Sequence, residues 1–255
     1  VNSMALELTT KTPEFIDPFN GLEDLAKKVL RTPAKAENSF SDDPLRMMRA
    51  ARFASQLDFT LDQDVVDALH NMAGRITIIS AERVRDEFTK LLMSPHPRIG
   101  ITILVDSGLA DFVLPEIPKL RLEIDEHHHH KDVYEHSITV LEQAISHEDR
   151  LGGPNLIIRL ASLLHDIGKP KSRRPGTKKA YTFYGHEVIG AKMAAGIMDR
   201  LKFPKELGEK IVKLVRYHMF YYNVGEVSEA GVRRFIARVG PETIPDLLRL
   251  READR

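Results

Sequence analysis

Apolar positions recur along most of this chain at three- and four-residue spacing with polar positions between them, so the pattern predicts one helix after another. The strongest case is Leu156 to Pro170, LIIRLASLLHDIGKP, whose first part is apolar on every face of a 3.6-residue period and which carries His165 and Asp166 at its carboxyl end. That pattern predicts a central helix buried all round, with Gly168 and Pro170 as its stop. Asp132 with Glu135 three residues later reads as a capping box opening VYEHSITVLEQAI. Gly152, Gly153 and Pro154 make the turn between the two. Further helical patterns start at His186 and near Lys205, and the chain reaches Asp254 still in helical register. Earlier, LDQDVVDALHNMA, AERVRDEFTKLLM with Ser80 as its cap, and RIGITILVDSGLADFVLP read as three helices, with Pro95 and Pro97 breaking between the last two.

The first nineteen residues depart from this pattern. VNSMALEL and EFIDPFNG are short apolar alternations around Thr10-Lys11-Thr12-Pro13, which predicts a β-hairpin or the last strands of a sheet. A two-stranded piece is marginal alone, so the start reads as cut from a larger sheet. Leu22, Leu25, Val29 and Leu30 predict a short amphipathic helix closing at Pro33. In FSDDPLRMMRAARFASQLDF, Ser41 or Asp42 can cap a helix whose first turn suits Pro44 and whose packing face carries Leu45, Met48, Ala51 and Phe53.

Two helical regions carry chemistry. At the end of the most hydrophobic segment stand His165 and Asp166, where an unpaired charge costs several kcal/mol. An isolated His-Asp pair is most simply satisfied by pairing with itself or with nearby backbone. Here, however, four other segments present a ligand-type residue on their core-facing side: His136 three after Val133 and four before Val140, His186 three before Ile189, His218 four after Leu214, and Asp254 four after Leu250. Converging imidazoles and carboxylates are what a divalent cation takes as ligands, so a metal site at His136, His165, Asp166, His186, His218 and Asp254 is expected. The other region is the helix after Pro44, where Arg46, Arg49 and Arg52 recur every third residue and form one cationic stripe near Asp43. The stripe is either a solvated helix face with intrahelical salt bridges or, since no acid is interleaved, a face for an anion such as a nucleotide phosphate or RNA backbone.

Composition narrows the setting. The 255 residues suffice for one large or two modest domains. There is no cysteine, which removes disulfides and thiolate-bound zinc and agrees with a reducing compartment. No run is long and apolar enough for a membrane span and the start is no signal peptide, so a cytoplasmic location is expected. The 37 basic and 37 acidic residues cancel, but Lys169, Lys171, Arg173, Arg174, Lys178 and Lys179 cluster without an acid directly after the His-Asp pair. That loop is either a solvated surface loop or a positive rim for phosphate. His127 to His130 read as the entry to the last domain. Phe220, Tyr221 and Tyr222 read as core or as a base-stacking cluster. His70 and His96 stand alone and are expected in ordinary packing.

The order His136, His165-Asp166, Asp254, with His186 and His218 between, resembles the HD superfamily of metal-dependent phosphohydrolases. The resemblance implies metal-activated water attacking a phosphoester, with His165 and Asp166 as catalytic residues and a second metal on the extra histidines. A second resemblance covers the first part: VNSMAL, IDPFNGLEDLAKKVLRTP, DDPLRMMRAARFA and ISAERVRDEFTKLL are similar, in order and spacing, to consecutive motifs of class II CCA-adding tRNA nucleotidyltransferases and their poly(A) polymerase relatives. Some bacterial members carry a C-terminal HD domain. This resemblance implies that Asp43 and Arg46 read the Watson–Crick edge of incoming CTP or ATP, that Arg49 and Arg52 help bind the nucleotide, and that Glu82, Arg83 and Glu87 buttress them. The family usually has Glu where this chain has Asp42. Its magnesium-binding carboxylates lie in a motif absent from these residues, so the chain as written is expected to be a fragment unable to transfer nucleotides.

The expected fold is mainly α: a remnant of the nucleotidyltransferase head sheet at 1–33, a helical neck and body at 34–125, and an all-α HD domain at 126–255. The expected partners are tRNA, CTP and ATP, and the expected cofactor is a divalent metal: magnesium for nucleotidyl transfer in the full enzyme, and magnesium, manganese, nickel or another transition metal in the HD site. The leading reading is a CCA-adding enzyme. Its rivals are a poly(A) polymerase, an HD phosphohydrolase acting on its own, and an HD fold serving only as a tRNA-binding scaffold.

Overall fold

A computed structural model of the chain describes residues 3–9, 12–121, 132–176, 181–220 and 227–255. His127 to His130, Lys178, Lys179, Tyr221 and Tyr222 lie outside them. The fold is mainly α, and the chain divides into two compact units, Val1–Val113 and Leu114–Arg255. Among the described residues no helix is long and apolar enough to cross a membrane.

The first unit opens with β1 (Ala5–Glu7) and β2 (Glu14–Ile16), an antiparallel pair with Leu6 opposite Phe15. The expected hairpin is there, with Leu6, Phe15 and Ile16 about half exposed. Helix α1 (Gly21–Lys27) stops well short of Pro33, contrary to the expectation. Lys28 takes a left-handed conformation, and Val29–Leu30 leaves as β3 to pair in parallel with β4 (Thr60–Leu61). Helix α2 (Ala36–Asp42) absorbs Ser41 and Asp42, so neither caps the following helix as expected. Asp43 breaks the run in extended conformation, and its own carboxylate accepts the Leu45 N–H at 3.1 Å at the start of α3 (Leu45–Leu57).

Helix α3 is the centre of this unit. Its Met47, Met48, Ala51 and Ala54 are buried, and α5 (Ala81–Leu92) and α6 (Pro97–Asp106) pack on it. Gly100 makes the last contact possible, since a Cβ there would fall 2.3 Å from Ser55 Oγ. Before them runs α4 (Gln63–Met72), capped by Asp62. Ser80 stands at the N-cap of α5, yet its hydroxyl makes no capping bond. The pattern expected as one helix from Arg98 onward is two, α6 and α7 (Ala110–Val113), because Gly108 turns the chain at φ 75°.

The second unit is built round the predicted central helix. Helices α8 (Val133–Ser146) and α9 (Glu148–Leu151) precede it, and α10 (Leu156–Leu164) is buried on every side from Ile158 onward. Its one interior cation, Arg159, is 3% exposed and forms a two-bond pair with Glu148 at 2.6 Å each, which compensates the buried charge. The basic stretch is partly regular: α11 (Lys169–Ser172) leads into a short antiparallel pair, β5 (Arg174–Pro175) with β6 (Tyr181–Thr182). Then follow α12 (His186–Arg200), α13 (Lys205–Tyr217), α14 (Glu229–Val239) and α15 (Ile244–Ala253). Helices α8, α13 and α15 pack on α10, and Val140, Ile158, Ala161, Leu214, Leu247 and Leu250 form one buried cluster. Pro170 falls inside α11, and Gly168, expected with it to stop the central helix, lies beyond that helix's last residue, Leu164, at φ −78°. It serves close approach instead: a Cβ there would meet the His186 carbonyl oxygen at 2.0 Å. Phe220 stacks on Phe235 at 5.3 Å between ring centres, which answers its place in the aromatic cluster with packing.

Candidate metal centre and template face

Helix ends gather the ligand-type residues of the second unit. His165, His218 and Asp254 are the C-capping residues of α10, α13 and α15, His186 is the first residue of α12, and His136 stands in the first turns of α8. A residue just past a buried helix end can point along the core without filling it, which is how polar groups converge in so apolar a domain. All six residues expected there come together, with His165, Asp166, His186 and His218 buried.

The geometry has two halves joined by Asp166. Around its Oδ2 lie His165 Nε2 at 3.2 Å and His136 Nε2 at 3.6 Å; those two nitrogens are 3.3 Å apart, and Asp254 Oδ1 lies 3.1 Å from His136 and 3.5 Å from His165. Around its Oδ1 lie His186 Nε2 at 3.3 Å and His218 Nε2 at 3.9 Å, themselves 3.2 Å apart. Lys169 Nζ approaches Oδ2 at 2.5 Å and faces the Phe183 ring. The mouth is a cavity of about 490 Å³.

Backbone carbonyls set the imidazoles. His165 Nδ1 donates to Ser162 O at 2.8 Å, His186 Nδ1 to Phe183 O at 2.8 Å and His218 Nδ1 to Val215 O at 2.7 Å. With Nδ1–H committed to a carbonyl, each neutral ring presents the lone pair of Nε2 inward. Two lone pairs at 3.2 Å, as between His186 and His218, repel unless a cation lies between them, and the donor set therefore fits divalent metal. Charge follows the same logic. Burial, then the neighbouring His165, push His218 down to about 4, so it is neutral at physiological pH. Burial opposes charge on His165, but Asp166 and then Asp254 outweigh it and raise its pKa. Burial likewise works against the Asp166 carboxylate, and His165 overcomes it to hold the pKa well below the ordinary range.

In the first unit the residues expected to read a nucleotide lie at the α2–α3 turn. Asp43 Oδ2 accepts from Arg83 Nη2 at 3.0 Å while Oδ1 takes the Leu45 N–H. Arg46 Nη1 donates to the Ser39 carbonyl at 3.2 Å and hydroxyl at 3.0 Å. Arg49 and Arg52 both lie over the Phe53 ring, at 6.0 and 4.1 Å. Arg52 has an acid of its own: Nε donates to Glu87 Oε2 at 2.6 Å, and Nη1 to Gln56 at 2.7 Å. Two acids therefore answer the stripe: Glu87 of α5, which helical spacing on α3 could not reveal, for Arg52, and Asp42, whose Oδ2 lies 3.7 Å from Arg46 Nη1. Glu82, grouped with Arg83 and Glu87 as a buttress, is exposed. Arg46 and Arg49 also line a cavity of about 370 Å³ floored by Phe40, Phe53 and Val65.

A helical domain whose central helix ends in His-Asp, with an earlier histidine and a later aspartate converging on that pair, defines the HD class, and the HD-domain family model matches residues 133–255. The model described as "Probable RNA and SrmB- binding site of polymerase A" matches residues 58–120. The chain belongs to the family of CCA-adding tRNA nucleotidyltransferases and poly(A) polymerases, in its HD-bearing form. It is 38% identical over 262 residues to the A-adding tRNA nucleotidyltransferase of Deinococcus radiodurans, covering 100% of this chain and 57% of that protein. It is 35% identical over 247 residues to the CC-adding tRNA nucleotidyltransferase of Thermus thermophilus, covering 93% and 54%. The crystal structure of the Bacillus stearothermophilus CCA-adding enzyme in complex with CTP shares the fold, with a TM-score of 0.65 at 22% identity over 94% of this chain and 49% of that one. The chain spans about half the length of the curated relatives it matches.

Proposed function

We propose that these residues are the template and tRNA-holding part of a nucleotidyltransferase that adds C, A or both to tRNA 3′ ends from CTP and ATP, joined to an HD domain that hydrolyses phosphoesters. Functionally the division is a head remnant at 1–33, a neck and body at 34–125 and the HD domain at 126–255, working in the cytoplasm where tRNA ends are finished. One observation carries the transferase reading: a carboxylate and a guanidinium stand three residues apart on one turn, each held by a second group. Cytosine and adenine both present an amino donor beside a ring-nitrogen acceptor. Asp43 can accept from the first and Arg46 can donate to the second, whereas guanine and uracil offer a carbonyl and a ring N–H in those places. Arg49 contributes positive charge for the triphosphate, with a smaller share for Arg52, which Glu87 already engages. Nucleotidyl transfer itself needs the magnesium-binding carboxylates of the full enzyme.

In the HD domain, His136, His165, Asp166 and Asp254 would hold one divalent cation and His186, His218 and Asp166 a second. Magnesium, manganese, nickel and other transition metals all suit imidazole and carboxylate donors to some degree. Such cations supply Lewis-acid polarisation of a phosphoryl oxygen and activation of water. The chain's own residues do the rest: Asp166 ties the two halves together, the three carbonyl-bonded imidazoles keep Nε2 directed inward, and Lys169 brings a cation to the mouth where a phosphate would enter.

The test is Asp43→Ala in the full-length parent. Incorporation from CTP and ATP should lose its preference over GTP and UTP by about 10–100-fold, the scale of one lost base-edge hydrogen bond to a charged group, while hydrolysis of bis(p-nitrophenyl) phosphate by the HD domain is unchanged. Retained CTP and ATP preference would refute the template assignment. A protein that hydrolyses no phosphoester with any divalent metal leaves the HD fold as a tRNA-binding scaffold.

A further inference from the structure

We propose that Arg251 is the positioning residue for the metal-facing carboxylate of Asp254, a role that rests on the metal reading above. Each buried imidazole at the ends of α10, α12 and α13 is braced by the position three residues before it: His165 by Ser162, His186 by Phe183 and His218 by Val215, always through a backbone carbonyl. A carboxylate cannot use that brace, because a carbonyl has no proton to give it. Asp254 ends α15 in the corresponding place, and three residues before it stands Arg251, whose Nη1 donates to Asp254 Oδ2 at 3.1 Å. The spacing is kept and the chemistry is inverted, from acceptor to donor.

The consequence is geometric. With Oδ2 occupied by Arg251, Asp254 turns Oδ1 to His136 and His165. Its approach to that half of the centre is thereby fixed through one oxygen. The other half is held by His186 and His218 on Asp166 Oδ1, whereas Arg251's hydrogen bond goes to Asp254. The surroundings support a held side chain: Arg251 is only 31% exposed, and among the described residues its ion-pair partner is Asp254. Arg249, two residues earlier, donates to the Leu151 carbonyl at 2.8 Å and anchors the same helix turn, so Arg251 is released from that task.

The experiment is a manganese titration by calorimetry of the whole chain and of Arg251→Met and Arg251→Gln, with thermal unfolding of each metal-free protein alongside. Arg251→Met removes the donor at similar bulk and should weaken one of two manganese ions by about 10–100-fold, as loss of a ligand's outer hydrogen bond does, leaving the other ion unchanged. Arg251→Gln keeps a neutral donor and should stay within about threefold of the parent for both ions. Two unchanged ions in Arg251→Met, or equal loss in both variants, would overturn the positioning role, the latter pointing to charge. Equal weakening of both ions together with a lowered melting temperature would overturn it in favour of a general structural role. A parent chain that takes up no metal at all would remove the metal reading, and this role with it.

Discussion

The two functional regions solve opposite problems. In the second unit, six ligand-type residues arrive from five helices at a point deep in an apolar domain, where backbone carbonyls set three of the four imidazoles. On the first unit's turn, Asp43, Arg46 and Arg49 sit at or near the surface, and their braces are other side chains: Arg83, Ser39 and the Phe53 ring. A buried centre leaves its ligands few rotamers, so helix packing preorganises it. A surface template has to restrain long side chains one bond at a time, against water and rotamer entropy. The difference teaches where each is vulnerable: the centre to loss of a shared ligand, the template to loss of a distant partner.

The largest effect should come from Asp166→Ala, because this carboxylate serves both halves. Metal analysis of protein purified in parallel should find both ions lost, and a variant that keeps one ion on His186 and His218 would break the bridging assignment. Next is pH. Metal must displace protons from its ligands, and His165, with a raised pKa, holds its proton into a higher range than His218, at about 4. As pH falls from about 8 to about 5, the ion on His136, His165 and Asp254 should therefore leave before the ion on His186 and His218. Manganese titrations at several pH values check this, and simultaneous release would contradict the unequal protonation.

The smallest of the three effects concerns the first unit. Glu87→Gln strips the charge partner from Arg52, whose side chain is 12% exposed against 9% for Glu87. Stability in urea should fall by about 2–4 kcal/mol, as for one partner of a largely buried pair, with a further loss of nucleotide affinity in the full-length parent. An unchanged urea midpoint would mean that Arg52 finds solvent or another acceptor.

Helical periodicity was enough to read the central helix and the helices bearing His136, His186 and His218, since burial of one face is written locally at i, i+3 and i+4, and apolar alternation was enough to read the opening hairpin. It failed where a single residue's conformation or a distant partner intervened. Lys28 ended α1 early with a positive φ, Gly108 split α6 from α7, and Asp43 rather than Ser41 or Asp42 served the start of α3. Gly168 was legible as a special position but not as a contact with His186, eighteen residues away.

By itself the sequence pointed to the candidate ligands, because His136, His165, Asp166, His186, His218 and Asp254 place donor atoms in core-facing register. It also offered an arginine stripe beside Asp43, and the motif resemblance, not the spacing, made Asp43 and Arg46 template candidates. Tertiary structure alone decided that Asp166 is shared between two halves and that Glu87 of α5 neutralises Arg52. The reason is physical: periodicity specifies the face on which a side chain lies, whereas a pair of atoms three ångströms apart depends on how two helices end and cross, which no local pattern encodes.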